Sequence, residues 1–362
     1  MCPFAMVKRA VVDSSGNTYC GFLKDGKRCT RFVLTLLSWF ESHARDLPWR
    51  KEYTPYRVWI AEVMLSQTQV RRVAPYYVRF LERFPDVAAL ASAPLEAVLL
   101  LWEGLGYYRR ALDVHRAAQI VRDKFNGEMP RDYADLRNLP GIGPYIASAI
   151  LAIGYNEPVL ALETNGRRVI ARFFGFDPQR VPQDVVETLV SCIPKGESRS
   201  LNQAMMDFGA LVCTSRNPKC VFCPLQEECA SHGRGDSTAQ LQKRLPKHLF
   251  IALCCSNRTI LLEKSESKLF PGLYVLPWRE ENDDPVVWIE ELGRRCGFVP
   301  VHSRFVGTIA HAYTKYKVFA KVFQVLVERS KEEGIWVLQD ELSRYPLASL
   351  FRKALRFVFP KE

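Results

Sequence analysis

The chain has 362 residues, 48% apolar and 25% charged, and its 50 Lys and Arg against 39 Asp and Glu leave a net charge of +11. The length exceeds what one hydrophobic core supports, so at least two domains are expected, and the composition excludes a mostly disordered chain. No run of 18 apolar residues offers a membrane span and no secretory signal opens the chain, so an intracellular protein without a membrane partner is expected. The basic excess favours a polyanionic partner. Residues 1–30 carry Cys2, Cys20 and Cys29 without helical periodicity and read as an extension of unassigned role. From Arg31 to about Cys213 the pattern is that of amphipathic helices, with Tyr56–Thr68, Arg71–Phe84, Pro94–Trp102, Arg109–Phe125, Tyr145–Gly154, Asn165–Phe174 and Leu201–Val212 the clearest. Residues 31–230 are therefore an all-α domain. Residues 231–247 are polar and read as a linker. Beyond them, strands are expected at Leu249–Cys255, Thr259–Leu262, Leu273–Leu276, Phe305–Ile309 and Val318–Val327, with helices at Val286–Cys296 and Leu347–Phe357. Residues 248–362 thus form an α+β domain.

Three features carry chemistry. Leu139-Pro140-Gly141-Ile142-Gly143-Pro144-Tyr145 lies between two helical patterns. Gly141 and Gly143 permit a tight turn with unshielded N–H groups ahead of a helix N-terminus, a seat for one phosphate or else an ordinary turn between helices. Cys213, Cys220, Cys223 and Cys229 are spaced by six, two and five residues, close enough in sequence to surround one metal centre. Spacing alone leaves zinc and iron–sulfur both open. Glu62 sits on a helix among Trp59, Ile60, Val63, Met64 and Leu65; in an apolar setting its pKa would rise and fit it for general acid catalysis, but helical periodicity alone favours a solvated face of that helix.

The glycine hairpin resembles the helix-hairpin-helix of the endonuclease III superfamily. The segments Leu47-Pro48-Trp49-Arg50, Glu62-Val63-Met64-Leu65-Ser66-Gln67-Thr68, Trp102-Glu103-Gly104-Leu105-Gly106-Tyr107-Tyr108 and Asn202-Gln203-Ala204-Met205-Met206-Asp207 resemble MutY-type adenine DNA glycosylases in the same order. The likeness covers roughly residues 32–230. It implies an all-α helix-hairpin-helix glycosylase domain, a 4Fe–4S cluster on Cys213, Cys220, Cys223 and Cys229, and a basic loop (Arg216, Lys219) that meets DNA. It also implies that Glu62 is the general acid that protonates adenine. The relatives that also cut the strand carry a lysine where this chain has Tyr145, so a monofunctional glycosylase is expected, with Tyr145 near the sugar. Glu163 stands where the family has the aspartate that stabilises the sugar cation. Asn165 is expected to orient it, and Arg167 and Arg168 to approach phosphates.

The same resemblance makes Gln67, Thr68, Leu105 and Tyr107 the residues that wedge into the duplex and meet the opposite base. It places Arg50 near adenine, while Ser66 replaces a frequent glutamine. The expected partner is double-stranded DNA bearing A opposite 8-oxoguanine or G, bound by a monomer. Leu269–Trp278 and Trp336–Gln339 resemble the C-terminal Nudix-like domain of MutY. Val286 and Val287 stand where that fold's metal-binding box begins, ahead of Glu290 and Glu291, so nucleotide hydrolysis is not expected. The lesion-sensing loop is expected at Ile309-Ala310-His311, with His311 retained and Ala310 in place of a serine. Two rival readings remain: a glycosylase for another mispaired base, and a mispair-binding protein without catalysis.

Overall fold

The structure is a computed structural model and describes residues 26–232 and 244–359, apart from 283, 314 and 330–332. Most of the N-terminal extension and most of the linker expected at 231–247 lie outside those residues. The first eleven helices are α1 (Gly26–His43), α2 (Pro55–Leu65), α3 (Val70–Arg83), α4 (Val87–Ser92), α5 (Leu95–Trp102), α6 (Arg109–Phe125), α7 (Tyr133–Asn138), α8 (Pro144–Ala149), α9 (Thr164–Phe174), α10 (Gln183–Ser191) and α11 (Ser198–Leu211). The C-terminal part adds α12 (Pro285–Cys296), α13 (Ser349–Leu355) and strands β1 (Leu245–Ser256), β2 (Thr259–Lys264), β3 (Tyr274–Val275), β4 (Trp278–Glu280), β5 (Phe298–Ala312), β6 (Tyr316–Arg329) and β7 (Ile335–Leu338). An all-α first part and an α+β second part are as expected.

The chain divides into two compact units that do not follow this linear order. One unit is Met1–Val63 with Met129–Ala239; the other is Met64–Glu128 with Gln240–Glu362.

In the first unit, Phe32, Val33, Leu36 and Trp39 line one stripe of α1 and pack with Val169, Ile170 and Phe173 of α9 and Leu201, Met205 and Phe208 of α11. Each such fully buried side chain contributes roughly 1.5–3 kcal/mol. Gly209 lets α11 approach α9, because a Cβ there would stand 2.6 Å from the Asn165 Cβ. Within α2, Val58, Trp59, Ile60, Ala61, Val63 and Met64 are all buried. A helix buried on every side has no solvent face on which to display a carboxylate.

The second unit joins α3–α6 to a sheet ordered β3-β2-β1-β6-β5, with β4 paired to β1 and β7 to β2. Strands β1 and β6 run parallel, and the other pairs are antiparallel. Strand β1 starts at Leu245, inside the stretch read as linker. Strand β5 is far longer than expected because register shifts at Pro300/His302 and Phe305/Gly307 break its alternation. The unit is tied by Glu103 at the end of α5, whose carboxylate accepts from Arg352 Nε (2.7 Å), Arg352 Nη2 (3.0 Å) and the Leu347 amide (3.2 Å). Nearby, the Gly272 turn seats against Leu99 and Leu112, from which a Cβ at 272 would stand 3.3 and 3.1 Å.

Candidate active site

Glu62 is buried, at 6% exposure, and its Oε2 accepts a 2.6 Å hydrogen bond from the Tyr145 hydroxyl. Burial pushes its carboxyl from 4.5 up to about 7; the Tyr145 bond lowers it, the neighbouring Glu163 raises it, and Arg50 lowers it. The Tyr145 hydroxyl is itself raised well above its ordinary value, chiefly by burial and then by Glu62, so it stays a donor. The surroundings of Tyr145 are apolar: Val58, Ala149, Ala152, Ile153 and Ala161 cluster there. A carboxylic acid half-protonated near neutrality, fixed by a hydroxyl and flanked by a second carboxylate, can deliver a proton beside a developing cation.

Glu163 is half-buried and caps α9, its Oε1 accepting from the Gly166 amide at 3.2 Å. The backbone amide thus orients Glu163. Asn165 does not fill that role: its Oδ1 accepts from Arg168 Nη2 at 2.7 Å. Arg168 is correspondingly no phosphate contact, since it is buried and donates to the carbonyls of Cys213 (3.0 Å) and Gly209 (2.8 Å). Arg167 is exposed.

Arg50 lies near Glu62 but is held by Asp207, donating to both carboxylate oxygens at 2.7 and 2.9 Å. Arg45 adds a 2.6 Å ion pair to the same acid. Burial works against ionisation of Asp207, yet the bonds from Arg50 and Arg45 outweigh it and hold the carboxyl below its ordinary range.

The hairpin between α7 and α8 has Gly141 at φ 75, a conformation that favours glycine, whereas Gly143 sits in the extended region as the residue before α8. Arg137 braces the turn through the Ile142 carbonyl at 3.1 Å.

The cysteine loop follows α11. Arg172 of α9 anchors it through the carbonyls of Thr214 (2.7 Å) and Ser215 (2.6 Å) and meets Cys213 Sγ at 3.5 Å. Arg28, at the start of α1, reaches the Phe173 and Glu228 carbonyls at 2.9 and 2.5 Å, which gives the end of the N-terminal extension a role the sequence did not show. The Cys223 thiol is pushed up to about 11 by burial and by Cys213, Cys229 and Cys220, so all four sulfurs lie near one another. Thiols so crowded ionise only beside compensating positive charge, and a metal centre fits that donor set. Among the described residues no group of three or more His, Cys, Asp or Glu side chains is arranged to hold a metal ion.

In the second unit, the turn after α2 holds Gln67 at φ 62 and the turn after α5 holds Tyr107 at φ 52, two non-glycine residues in left-handed conformation. Gln67 is exposed, Thr68 half-buried, and Tyr107 39% exposed. Leu105 departs from expectation: at 3% exposure it is packed inward and supports its loop from below. His311 also departs. Ile309, Ala310 and His311 form no loop but lie in β5, paired with Ala320, Phe319 and Val318 of β6. The turn of that hairpin comes later and is closed by the Tyr313 amide donating to the Tyr316 carbonyl at 2.9 Å. His311 Nδ1 and the Tyr313 hydroxyl are buried without a hydrogen-bond partner among the described residues, their rings 4.7 Å apart.

Residues 60–195 match the HhH-GPD superfamily of base excision DNA repair proteins, and residues 248–357 match the NUDIX domain. An adenine DNA glycosylase of Buchnera aphidicola subsp. Baizongia pistaciae is 34% identical over 290 residues, 77% of this chain and 83% of that protein. The chain belongs to the adenine DNA glycosylase family. The family's human member is 28% identical across 96% of this chain and 78% of its own length. Among solved structures, a thermostable thymine-DNA glycosylase superposes with a TM-score of 0.54 at 27% identity, covering 57% of this chain and 97% of its own. A non-covalent endonuclease III–DNA complex gives a TM-score of 0.50 at 26% identity, over 57% of this chain and 96% of that chain.

Within an adenine DNA glycosylase, the residues that sequence reasoning passed over are mostly supports. Asp207, Arg172 and Arg110 each hold functional segments in place, and of these only Asp207 left a trace, as the last residue of the segment Asn202–Asp207 that carries the resemblance. On the Nudix-like side, Val286 and Val287 are exposed on α12, and Glu291 is taken by Arg279 at 3.2 Å.

Proposed function

We propose that this chain removes adenine from duplexes in which it faces 8-oxoguanine or G, by flipping the base out and hydrolysing its N-glycosidic bond. The observation that carries this is Glu62, raised to about 7 and hydrogen-bonded to Tyr145 with Glu163 close by. Protonated Glu62 passes its proton to the leaving adenine as the C–N bond breaks, and the Glu163 carboxylate, held by the Gly166 amide, faces the cationic sugar. Water then adds at the sugar carbon and returns a proton to Glu62. Asp207, by neutralising Arg50, limits the pull of that guanidinium on Glu62 towards early ionisation. Position 145 offers a hydroxyl where an amine nucleophile would be needed, so the enzyme is monofunctional and leaves an abasic site. Borohydride should trap no covalent enzyme–DNA adduct. Glu62→Gln should abolish base release and keep duplex binding; turnover surviving in that variant would remove the assignment.

Exposed Gln67 and Tyr107, with Thr68, act as the wedge, and Gly141 and Gly143 offer backbone amides to a phosphate. Cys213, Cys220, Cys223 and Cys229 hold a 4Fe–4S cluster, a reading supported by the family and by the proximity of the thiols. When bound, the cluster cross-links the loop that presents Arg216 and Lys219 to DNA. The protein acts inside the cell as a monomer on DNA, with binding that weakens as salt rises. A second reading, excision of a mispaired thymine, draws on Glu163 and on the likeness to a thymine-DNA glycosylase. Single-turnover assays on A:8-oxoguanine, A:G, A:C and T:G duplexes separate the two.

A further inference from the structure

We infer that Arg110 is the positioning residue that clamps the two base-flipping turns into one rigid tip; the inference rests on the glycosylase reading above. Arg110 lies in the first turn of α6, where a cation opposes the helix dipole, so its place there needs another reason. That reason is visible in its bonds. Nη1 donates to the Met64 carbonyl at 2.9 Å and the Ser66 carbonyl at 2.6 Å, both at the unravelling end of α2. Nη2 donates to Thr68 Oγ1 at 3.1 Å and to the Gly106 carbonyl at 3.0 Å. The guanidinium also lies 5.1 Å from the Tyr107 ring centroid and 5.6 Å from that of Trp102. One planar cation therefore ties the turn carrying Gln67 to the turn carrying Tyr107.

Those two residues are both held left-handed, a strained conformation that a non-glycine residue keeps only where the surroundings over-determine it. A lysine, as a single point donor on a flexible stem, cannot span acceptors from both turns. With the clamp made, the exposed tips of Gln67 and Tyr107 keep a fixed separation before DNA arrives, and the cost of ordering them does not fall on the flipping step.

The test uses the full chain and Arg110→Lys. Without DNA, amides of residues 65–68 and 104–107 should exchange with solvent on the order of tenfold faster, while amides of α9 and α11 stay protected. With a duplex carrying 2-aminopurine opposite 8-oxoguanine, the fluorescence rise on flipping should disappear. Base release from A:8-oxoguanine should slow on the order of 10²-fold. Binding to a duplex that already holds an abasic site should change by less than about threefold, because no base need be flipped. The pH at which the rate falls should not move. Unchanged exchange, flipping that survives, or an equal loss of abasic-site binding would overturn the clamp. Should Arg110→Lys fail to fold, Thr68→Val removes one acceptor and must loosen the same amides to a smaller degree, and rigid turns in that variant overturn it equally. The exchange measurement needs no substrate, so a wild-type chain that released no adenine would sink the glycosylase reading and leave the clamp still testable.

Discussion

Replacing Glu62 by Gln should stabilise the protein while abolishing its activity. The carboxyl moves from 4.5 to about 7 on folding, because burial disfavours its charged form. The sign follows from proton binding. Below pH 4.5 both folded and unfolded chains hold the proton and the shift costs nothing. As pH rises towards 7 the unfolded chain ionises freely and the folded chain does not, so stability falls. Above about 7 the full penalty applies, about 3 kcal/mol at pH 8 against about 1 kcal/mol at pH 5. A glutamine of the same shape escapes that penalty and still accepts the Tyr145 hydroxyl. Between pH 5 and pH 8 the advantage of Glu62→Gln over wild type should therefore widen by about 2 kcal/mol, or roughly 4–8 °C in melting temperature for a unit of this size. Thermal scans of both proteins at the two pH values measure it directly. If the gap fails to widen, or if the glutamine variant melts first at pH 8, Glu62 is not a strained acid.

Further outcomes are expected. In wild type, single-turnover base release should fall about tenfold per pH unit above about 7, and Tyr145→Phe, by removing a bond that lowers the Glu62 pKa, should move that fall to higher pH. Glu163→Asp restores the family's shorter carboxylate and keeps a capping acid, so base release should quicken; a slower variant would mean that the site has adapted to the longer side chain. Asp207→Asn leaves Arg50, whose side chain is 9% exposed, without its counter-ion and should destabilise by about 3–5 kcal/mol, read in thermal melts. The purified protein should be brown and absorb near ~400 nm, and stripping its iron should weaken DNA binding, whereas a colourless zinc protein would refute the cluster.

Much of this was legible in the sequence, for reasons that differ from element to element. Helix α6 was read to its exact ends because its apolar stripe is regular and Asn126 and Gly127 stop it with positive φ. Helix α2 was found, but its amphipathic reading was not the truth: every side is buried, so periodicity could not say which way Glu62 faces. The turn containing Leu105 showed an aromatic and glycine pattern, yet only packing reveals that Leu105 points in and Tyr107 out. Strands β4 and β7 are too short to alternate, and the register shifts in β5 hid both its length and the fact that His311 is a strand residue. The supports Arg110, Arg172 and Asp207 act through carbonyls and counter-ions far away in the chain, a kind of partnership that local pattern does not encode.

The chain passes between its compact units after Val63, after Glu128 and again after Ala239, so order along the polypeptide and order in space disagree. A protease cut or stop codon beyond residue 239 would not release a tidy catalytic fragment. It would strip Glu103 of the Arg352 guanidinium and the Leu347 amide, and bare the Leu99 and Leu112 surface against which the Gly272 turn rests. Such a remnant keeps Glu62 and Tyr145 yet carries an orphaned carboxylate at Glu103 and a sticky face at Leu99 and Leu112. Shortened forms of this protein should consequently suffer first in grasping DNA and in solubility, and only later in the chemistry of the glycosidic bond.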